Sequence, residues 1–590
     1  MIDDKTLEQI IQPYISADAV LGMGIAIVRG QEVVHANGFG RTSVEEGGIP
    51  VTAQTLFAIG STSKIITALL IMRLVEQGAL ELDRPVVDYL PGYTFTANPV
   101  WGQKITLRHL LSHTSGLASG DREWGPSDPD ALRRWVWEEM AHFALLAEPG
   151  CALYYSNGPC LAAHVAEAVT SHAFPQLVAE QVFAPLGMTR STYDRLVAMT
   201  YPLALPHDRD EAGKLSVVHH FADNAAGNPD GHCLSTVDDM AKVMIMLLNQ
   251  GRIGQEQYLT PASMAAMQAI HGDSLTAAAN TLRAALMRYW GLGLGIGDYK
   301  GVRVVRHAGT LQGMFTMCDL FPAQGIGVVT MSNYCNANQR RAMLFQLYDQ
   351  LLSTPAIYHY PEPAVLTGDA HQALWPQHRG AYLSPWGTLL TIAVQAGQLT
   401  ITVDNEGYLL TAVTADQYYF IDAEGNRTPV AFLPEQFGPT QILLLDGDLH
   451  NRIELPSDFT FDLATLAAYT GLYANYAEGN TLVGFYIGAQ EEGLFVYPAA
   501  VHGCVPQIGL STSKSNLSFS SIAPNLGRTP VYGHCIPLDE ENGVKCTPLT
   551  PTTFVAPGCL LEFTVNEDSS VRYVTRKRGL RYWPVKDRRR

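Results

Sequence analysis

The spacing of apolar residues divides the chain into a first part that mixes two periods and a second part that shows only one. Helical spacing occurs over residues 4–16, 65–75, 161–169, 240–248, 261–287 and 338–352. Alternation typical of strands occurs over residues 22–28, 32–38, 302–306, 313–321 and 325–331. After residue 380 only short alternating segments remain, separated by Gly, Asp and Asn turns. We therefore predict a mixed α+β unit followed by an all-β region.

The change of period also predicts where the domains begin and end. We place an α+β domain at residues 1–353, a Pro-containing linker at 354–366, and two β-barrel domains at 367–460 and 461–590. Gly380-Ala381-Tyr382 and Gly471-Leu472-Tyr473 open similar runs of strands and turns, which indicates a weak internal repeat and favours two small antiparallel barrels. The long segment from His502 to His534 has little pattern, so we interpret it as a loop of the second barrel.

Composition and charge exclude several partners. The formal net charge of −17 argues against nucleic acid, and no apolar run reaches the length of a membrane span. The start, Met1 to Lys5, is unlike a signal peptide, and the nine cysteines include no Cys-x-x-Cys pair. We expect a cytoplasmic protein without a membrane or nucleic-acid partner. His219-His220 has no further ligands at metal spacing, so neither a metal nor a cofactor is expected, and the oligomeric state is left open.

A serine and a lysine three residues apart are the first candidates for chemistry. Ser61 and Lys64 open the apolar helix that ends near Gly78, and a spacing of three places both side chains on one helix face. The lysine amine can take the serine proton if burial keeps the amine neutral. The helix N-terminus also favours negative charge that forms nearby.

The same four-residue pattern occurs a second time and provides an internal control. Ser511-Thr512-Ser513-Lys514 repeats Ser61-Thr62-Ser63-Lys64, but no helical apolar face follows it. We interpret Ser511 as an ordinary surface residue. Ser-x-x-Lys is therefore a weak signal alone and needs partners elsewhere in the chain.

Two later motifs supply such partners. Tyr155-Ser156-Asn157 lies on a loop before a helix, and His307-Ala308-Gly309-Thr310 lies at the edge of a strand. As a set with Ser61 and Lys64, these residues fit acyl transfer through a serine ester.

Each member of the set has a predicted role. Ser61 attacks a carbonyl, while Lys64 and Tyr155 share the proton transfers. Asn157 holds Lys64 through its side-chain oxygen. The backbone N–H groups of Ser61 and Thr310 form the oxyanion hole.

The three motifs in this order resemble the serine β-lactamase and penicillin-binding-protein superfamily, most closely its class C β-lactamase branch. Supporting stretches at residues 106–117, 148–150 and 231–240 are also similar, and the resemblance covers roughly residues 5–353. It implies a catalytic domain with a central antiparallel sheet flanked by helices.

One departure from the branch carries information about the substrate. Class C β-lactamases have Lys-Thr-Gly at the third motif, whereas this chain has His307, whose mostly neutral imidazole attracts an anionic substrate less. His-x-Gly resembles the motif of family esterases and D-aminopeptidases. The alternative is that His307 is a packed strand-end histidine without substrate contact. The resemblance to D-aminopeptidases, with two barrels after the catalytic domain, also implies that the segment His502 to His534 reaches the active site and selects substrates.

We therefore expect a cofactor-independent serine hydrolase that cleaves an ester, an amide or a short peptide through an acyl-enzyme on Ser61. The alternatives are a D-stereospecific aminopeptidase and an acyltransferase or hydrolase of natural-product metabolism. A non-catalytic binding protein with the same fold is a further alternative, although such a protein has no need of Lys64 and Tyr155.

Overall fold

The structure is a computed structural model, and its described residues cover most of the chain before residue 455. They are residues 2–17, 19–117, 128–143, 145–209, 213–219, 224–275, 285–355, 365–366, 369–384, 388–403, 406–423, 425–433 and 442–454, followed by the backbone of strands between residues 471 and 584. The chain divides into two compact units, and the division falls between Pro363 and Ala364. The finer domain boundaries, among them residue 460, stay predictions.

Helices of the described residues are numbered here in chain order. They are α1 Asp4–Ser16, α2 Ser63–Glu76, α3 Pro99–Gly102, α4 Leu107–Leu111, α5 Ala131–Glu138, α6 Gly158–Thr170, α7 Phe174–Val178, α8 Ala184–Leu186, α9 Arg195–Ala198, α10 Asn228–Gly231, α11 Val237–Leu248, α12 Pro261–Met267, α13 Ala337–Leu352 and α14 Trp375–His378. Single 3₁₀ turns lie at Gly60–Thr62, Val86–Asp88, Met140–His142, Ala225–Gly227, Pro322–Gln324 and Asp369–Leu374, and a π-helical turn lies at Ala179–Phe183.

An eight-stranded antiparallel sheet forms the centre of the first unit. Its strands are β1 Gly22–Arg29, β2 Glu32–Gly40, β9 Gly272–Asp273, β10 Tyr289–Trp290, β11 Gly295–Tyr299, β12 Val302–Leu311, β13 Met314–Phe321 and β14 Ile326–Ser332. The order across the sheet is β2-β1-β14-β13-β12-β11-β10-β9. Three two-stranded pairs join β3 Phe57–Ala58 with β6 Leu234–Ser235, β4 His207–Arg209 with β5 Leu215–Val217, and β7 Arg252–Ile253 with β8 Glu256–Gln257.

Alternation along the strands gives the sheet two buried faces. Ile25 and Ile27 of β1 belong to a core with α1 and α13, whereas Ala26 and Val28 belong to a larger core with α2, α6 and α11. The same alternation directs the neighbours Arg306 and His307 of β12 to opposite faces. The predicted antiparallel sheet flanked by helices is therefore confirmed.

The helix predicted at residues 261–287 is interrupted. Its first part ends at Met267, strand β9 follows and pairs with β10 at the edge of the sheet, and Ala285 and Leu286 are helical again. The backbone N–H of His271 donates to the Trp290 carbonyl at 2.8 Å. The prediction is therefore wrong for residues 268–275, where ladder hydrogen bonds replace helical ones, and residues 276–284 lie outside the described residues.

Nine antiparallel strands form a nearly closed, barrel-like sheet at the start of the second unit. They are β15 Gly380–Leu383, β16 Leu389–Gln395, β17 Gln398–Val403, β18 Glu406–Leu409, β19 Thr411–Ala412, β20 Gln417–Ile421, β21 Arg427–Leu433, β22 Ile442–Leu445 and β23 Asp448–Ile453. The first strand pairs with the last, and the order is β18-β17-β16-β15-β23-β22-β21-β20-β19. Alternate residues point inward and form a core around Tyr382, Tyr418 and Phe432.

The remaining strands form a second nine-stranded sheet with the same topology. They are β24 Gly471–Ala477, β25 Thr481–Gln490, β26 Gly493–His502, β27 Val544–Lys545, β28 Thr547–Thr550, β29 Thr553–Ala556, β30 Cys559–Val565, β31 Val571–Arg576 and β32 Leu580–Pro584. Their order, β27-β26-β25-β24-β32-β31-β30-β29-β28, repeats that of the first barrel position by position.

The two sheets differ most in the length of the connection between their third and fourth strands. Residues 404–405 join the third and fourth strands of the first sheet, whereas residues 503–543 join those of the second. Almost all of the predicted loop from His502 to His534 falls in this connection, outside the described residues. Its proposed contact with the active site stays a prediction. In the part of the chain that is described, no helix is long and apolar enough to cross a membrane.

Candidate active site

Ser61 lies in a tight turn that leads into α2. The turn is a 3₁₀ helix at Gly60–Thr62, and the α-helix itself begins at Ser63, so Ser61 precedes the first α-helical turn in which the sequence placed it. Gly60 has a φ of +54°, a left-handed conformation that favours glycine. Ser61 is half-buried, whereas Lys64 is buried with 3% of its surface exposed.

Strand β12 brings Gly309 and Thr310 against this turn. A side-chain carbon added to Gly309 would lie 1.9 Å from the carbonyl oxygen of Ile59, and one added to Gly60 would lie 2.5 Å from the Thr310 nitrogen. Both distances are too short for a real contact, so the approach of strand and turn requires glycine at both positions. Thr310 therefore lies against Gly60, the residue before Ser61, and its role in the oxyanion hole stays a prediction.

Lys64 contacts a buried aspartate that the sequence analysis did not identify. Its Nζ donates to the Asp230 carbonyl oxygen at 2.8 Å and lies 3.9 Å from Asp230 Oδ2. The same Oδ2 accepts a hydrogen bond of 2.7 Å from Asn157 Nδ2. Asp230 therefore joins the lysine of the first motif to the asparagine of the second. The predicted contact from the Asn157 oxygen to Lys64 stays a prediction.

Tyr155 lies over Lys64 and is the exposed member of the cluster. The Lys64 Nζ is 4.7 Å from the centroid of the tyrosine ring, and 37% of Tyr155 is exposed. Its ring also packs on His113 at 4.4 Å and on Trp290 at 5.4 Å between centroids. The Tyr155 ring therefore lies between the buried Lys64 amine and the protein surface.

His113 holds the loop that carries Tyr155. Its carbonyl oxygen accepts from the Tyr154 backbone N–H at 2.8 Å, and its Nδ1 accepts from the Ser156 N–H at 3.0 Å. The two contacts flank Tyr155 on both sides. His113 itself is fully buried and has a φ of +57°, which is strained for a residue with a side chain. Burial, with the Lys64 charge nearby, lowers the pKa of His113 well below its usual value.

His307 is a buried neutral histidine at the edge of the cluster. Its Nδ1 donates to the Ala308 carbonyl at 2.7 Å, and its ring packs edge-on against Trp290 at 5.4 Å. Burial, together with the Lys64 charge, lowers the pKa of His307 to about 3. The imidazole is therefore neutral at neutral pH, as the sequence predicted. Only 2% of the residue is exposed, and its contact with substrate stays a prediction.

Comparison with known proteins identifies the family of the chain. The sequence pattern described as Beta-lactamase matches residues 7–353, more than half of the chain. The chain belongs to the beta-lactamase family. The predicted membership of the β-lactamase and penicillin-binding-protein superfamily is thereby confirmed.

The chain is similar in sequence to two curated proteins, a penicillin-binding protein and a hydrolase. It is 28% identical to penicillin-binding protein 4 of Amycolatopsis lactamdurans over 324 residues, which are 53% of this chain and 81% of the relative. It is 25% identical to the unguisins hydrolase ungD' of Aspergillus campestris over 372 residues, which are 59% of this chain and 65% of the relative.

Two solved structures show the same fold over a longer stretch. The octameric penicillin-binding protein homologue from Pyrococcus abyssi is 23% identical, with a TM-score of 0.52, and the match covers 76% of this chain and all of that one. SurE is 22% identical, with a TM-score of 0.58, and the match covers 76% of this chain and 99% of the other.

Three residues of this beta-lactamase family site were missed by sequence reasoning. His113 was inside a stretch recognised as similar to the family, but its hydrogen bonds to residues 154 and 156 had no local signal. Asp230 lies one residue before the recognised stretch at 231–240. Trp290 was missed because it follows a segment read as helix. Only the tertiary fold brings these residues together.

Proposed function

We propose that this protein is a serine hydrolase that cleaves an ester or amide bond of a small molecule through an acyl-enzyme on Ser61. The observation that carries the proposal is the position of Lys64. Its amine is buried, lies 4.7 Å from the ring of Tyr155, and belongs to the helix that begins beside Ser61. A non-catalytic binding protein has no need of this arrangement.

The reaction proceeds in two steps. The Ser61 oxygen bonds to the substrate carbonyl carbon while its proton passes to the Lys64 and Tyr155 pair. The same pair returns the proton to the leaving oxygen or nitrogen as the bond to that atom breaks. Water then attacks the acyl carbon and loses a proton to the pair. The pair gives this proton to the Ser61 oxygen as the bond between that oxygen and the acyl carbon breaks and the acid leaves.

The close approach of β12 to the Ser61 turn supports an oxyanion hole in this mechanism. The backbone N–H groups of Ser61 and Thr310 donate to the carbonyl oxygen as negative charge develops on it. One such donor is typically worth about 3 kcal/mol of transition-state stabilisation. The names of the curated relatives, a penicillin-binding protein and an unguisins hydrolase, support hydrolytic acyl chemistry rather than a particular substrate.

The proposal is tested by the intact mass of the protein after reaction with a fluorophosphonate, together with turnover of p-nitrophenyl acetate. The variants are Ser61→Ala and, as the matched control, Ser511→Ala, which alters the second copy of the same four-residue pattern. We expect labelling and turnover to be lost in Ser61→Ala alone. Equal labelling of both variants, or none of the wild type, would remove the proposal.

Esterase and D-aminopeptidase activities are then separated with matched substrates. The p-nitroanilides of D-alanine and L-alanine are compared with p-nitrophenyl acetate under the same conditions. Turnover of the D-anilide alone, in a Ser61-dependent manner, would favour the aminopeptidase alternative. Ester turnover without either anilide would favour an esterase.

A further inference from the structure

The loop that carries Tyr155, residues 145–156, is hydrogen-bonded to one short segment at residues 113–117. Backbone carbonyls of this segment accept from three N–H groups of the loop, those of Leu146, Gly150 and Tyr154, at 2.7, 2.7 and 2.8 Å. A fourth N–H, that of Ser156, donates at 3.0 Å to a side chain, the Nδ1 atom of His113. A substitution of His113 therefore removes one contact of the loop, next to Tyr155, and leaves the three contacts to backbone carbonyls in place.

We infer that His113 is a positioning residue for the reaction of Ser61. Its ring nitrogen and its left-handed backbone together fix where the Tyr155 hydroxyl lies, and thereby set the rate of acylation without contact with the substrate. This inference rests on the proposed function and adds a residue that acts through Tyr155.

The hydrogen bond from Ser156 shows what the imidazole contributes. Nδ1 accepts an N–H, so it carries no hydrogen itself, and the hydrogen of the neutral ring is on Nε2. Nε2 is buried and has no hydrogen-bond partner among the described residues. A buried donor without a partner lowers the free energy of unfolding. The ring of His113 therefore holds the loop at some loss of stability to the fold.

The backbone of His113 allows one residue to hold both sides of Tyr155. Its φ of +57° lies in the left-handed region, which Asn, Asp and His adopt more readily than other residues with side chains. Asparagine is the closest substitute, because it tolerates this backbone and offers an oxygen acceptor. Phenylalanine keeps a ring to pack on Tyr155, where the His113 ring lies at 4.4 Å, but it has no acceptor for the Ser156 N–H.

The first test compares kcat and KM for p-nitrophenyl acetate with the melting temperature. In His113→Phe we expect kcat to fall about 10²-fold with little change in KM, because a small displacement of a reacting group is enough for such a loss. The melting temperature should change little, since the variant exchanges one unpaired buried N–H, that of Nε2, for another, that of Ser156. In His113→Asn the loss of kcat should shrink to about tenfold, because the acceptor is restored.

His207→Phe is the matched control. His207 is also fully buried, and its Nε2 accepts from the Val44 backbone N–H at 3.1 Å while its Nδ1 donates to the Leu205 carbonyl at 2.7 Å. This variant loses two hydrogen bonds, so we expect it to melt at a lower temperature than His113→Phe and yet to keep the kcat of the wild type.

A double-mutant cycle separates an action through Tyr155 from a general disturbance of the site. The rate of fluorophosphonate labelling of Ser61 is measured for His113→Phe and His113→Asn, each alone and combined with Tyr155→Phe. Once the tyrosine hydroxyl is absent, its position no longer matters, so we expect either His113 variant to slow the Tyr155→Phe protein by no more than about twofold.

Three outcomes would overturn the inference. They are an equal fall of kcat in His113→Phe and His207→Phe, an Asn variant as slow as the Phe variant, and a full effect of His113 in the Tyr155→Phe background. If His113→Phe does not fold, the cycle with His113→Asn decides. Absence of labelling in the wild type, or full activity in Tyr155→Phe alone, would instead contradict the proposed function on which the inference rests.

Discussion

The two faces of the central sheet carry the same kind of buried ion pair in different surroundings. On the face covered by α1 and α13, Arg306 lies 2.9 Å from Asp319, and the Tyr348 hydroxyl donates to the same carboxylate. On the other face, Lys64 lies 3.9 Å from Asp230 and faces the half-exposed Tyr155.

The two clusters differ in the solvent exposure of their tyrosines. Tyr348 is buried to 1% exposure and closes its pair from solvent, whereas Tyr155 is 37% exposed and opens its pair toward the surface. We infer that the closed cluster stabilises the fold and the open one performs chemistry. The following variants test this division, beginning with the largest expected effect.

Tyr155→Phe removes the hydroxyl from the open cluster. We expect kcat/KM for p-nitrophenyl acetate to fall by about 10²–10⁴-fold, because the proton of Ser61 loses its acceptor. The melting temperature should stay near that of the wild type, since the ring keeps its contacts with His113 and Trp290. Retained activity would contradict the role of Tyr155.

Asp319→Ala breaks the closed cluster. Arg306 would remain buried without its carboxylate, so we expect the free energy of unfolding to fall by about 3–5 kcal/mol. Urea denaturation measures this loss, and activity per folded molecule serves as the second measurement. A loss of activity with little loss of stability would contradict the assignment of this face to stability.

Tyr348→Phe is the matched counterpart of Tyr155→Phe. The Asp319 carboxylate loses a buried donor, so we expect a loss of about 1–3 kcal/mol in the free energy of unfolding. We expect kcat/KM to change little. If both Tyr→Phe variants lost activity equally, the two faces would not differ in the way described.

The pH dependence of stability tests the neutral histidine beside the open cluster. Because the pKa of His307 is about 3 in the folded protein and near 6.5 when unfolded, its contribution is full above pH 6.5 and is lost as the pH falls toward 3. Titration of this residue should lower the free energy of unfolding by about 1.4 kcal/mol at pH 5.5, compared with its value well above pH 6.5. Urea denaturation should show a shallower pH slope in His307→Gln, whereas the exposed His219→Gln should keep the wild-type slope.

Local pattern was enough to predict the elements that carry the motifs. Strands β13 and β14 and helices α1 and α13 begin and end within one residue of their predicted bounds, because each has one clear period. Strand β12 runs five residues beyond its predicted end at Arg306, so His307 to Thr310 lie within the strand and not at its edge. The repeat opened by Gly380 and Gly471 is borne out in the topology, since β15 and β24 hold the same place in their sheets.

Residues that act through distant contacts could not be predicted in this way. Asp230 reaches Lys64 from a sequence separation of 166, and a lone aspartate in a Pro-Asp-Gly segment reads as a turn. Residues 268–275 were misread as helix because helical spacing says nothing about the partner strand that competes for their hydrogen bonds.

The pairing of first with last strand in each nine-stranded sheet has a consequence for how such a chain can change over evolution. Strands β15 and β23 are neighbours, as are β24 and β32, so the chain enters and leaves each sheet at adjacent positions. A segment with adjacent ends can be copied or deleted in one genetic event without pulling apart what precedes it. The fourth and fifth strands of each sheet are not paired with each other, and residues 503–543 of the second sheet precede its fourth strand. Duplication of one barrel, followed by lengthening of a loop beside its unpaired strands, would give a second barrel whose sequence can change independently of the first.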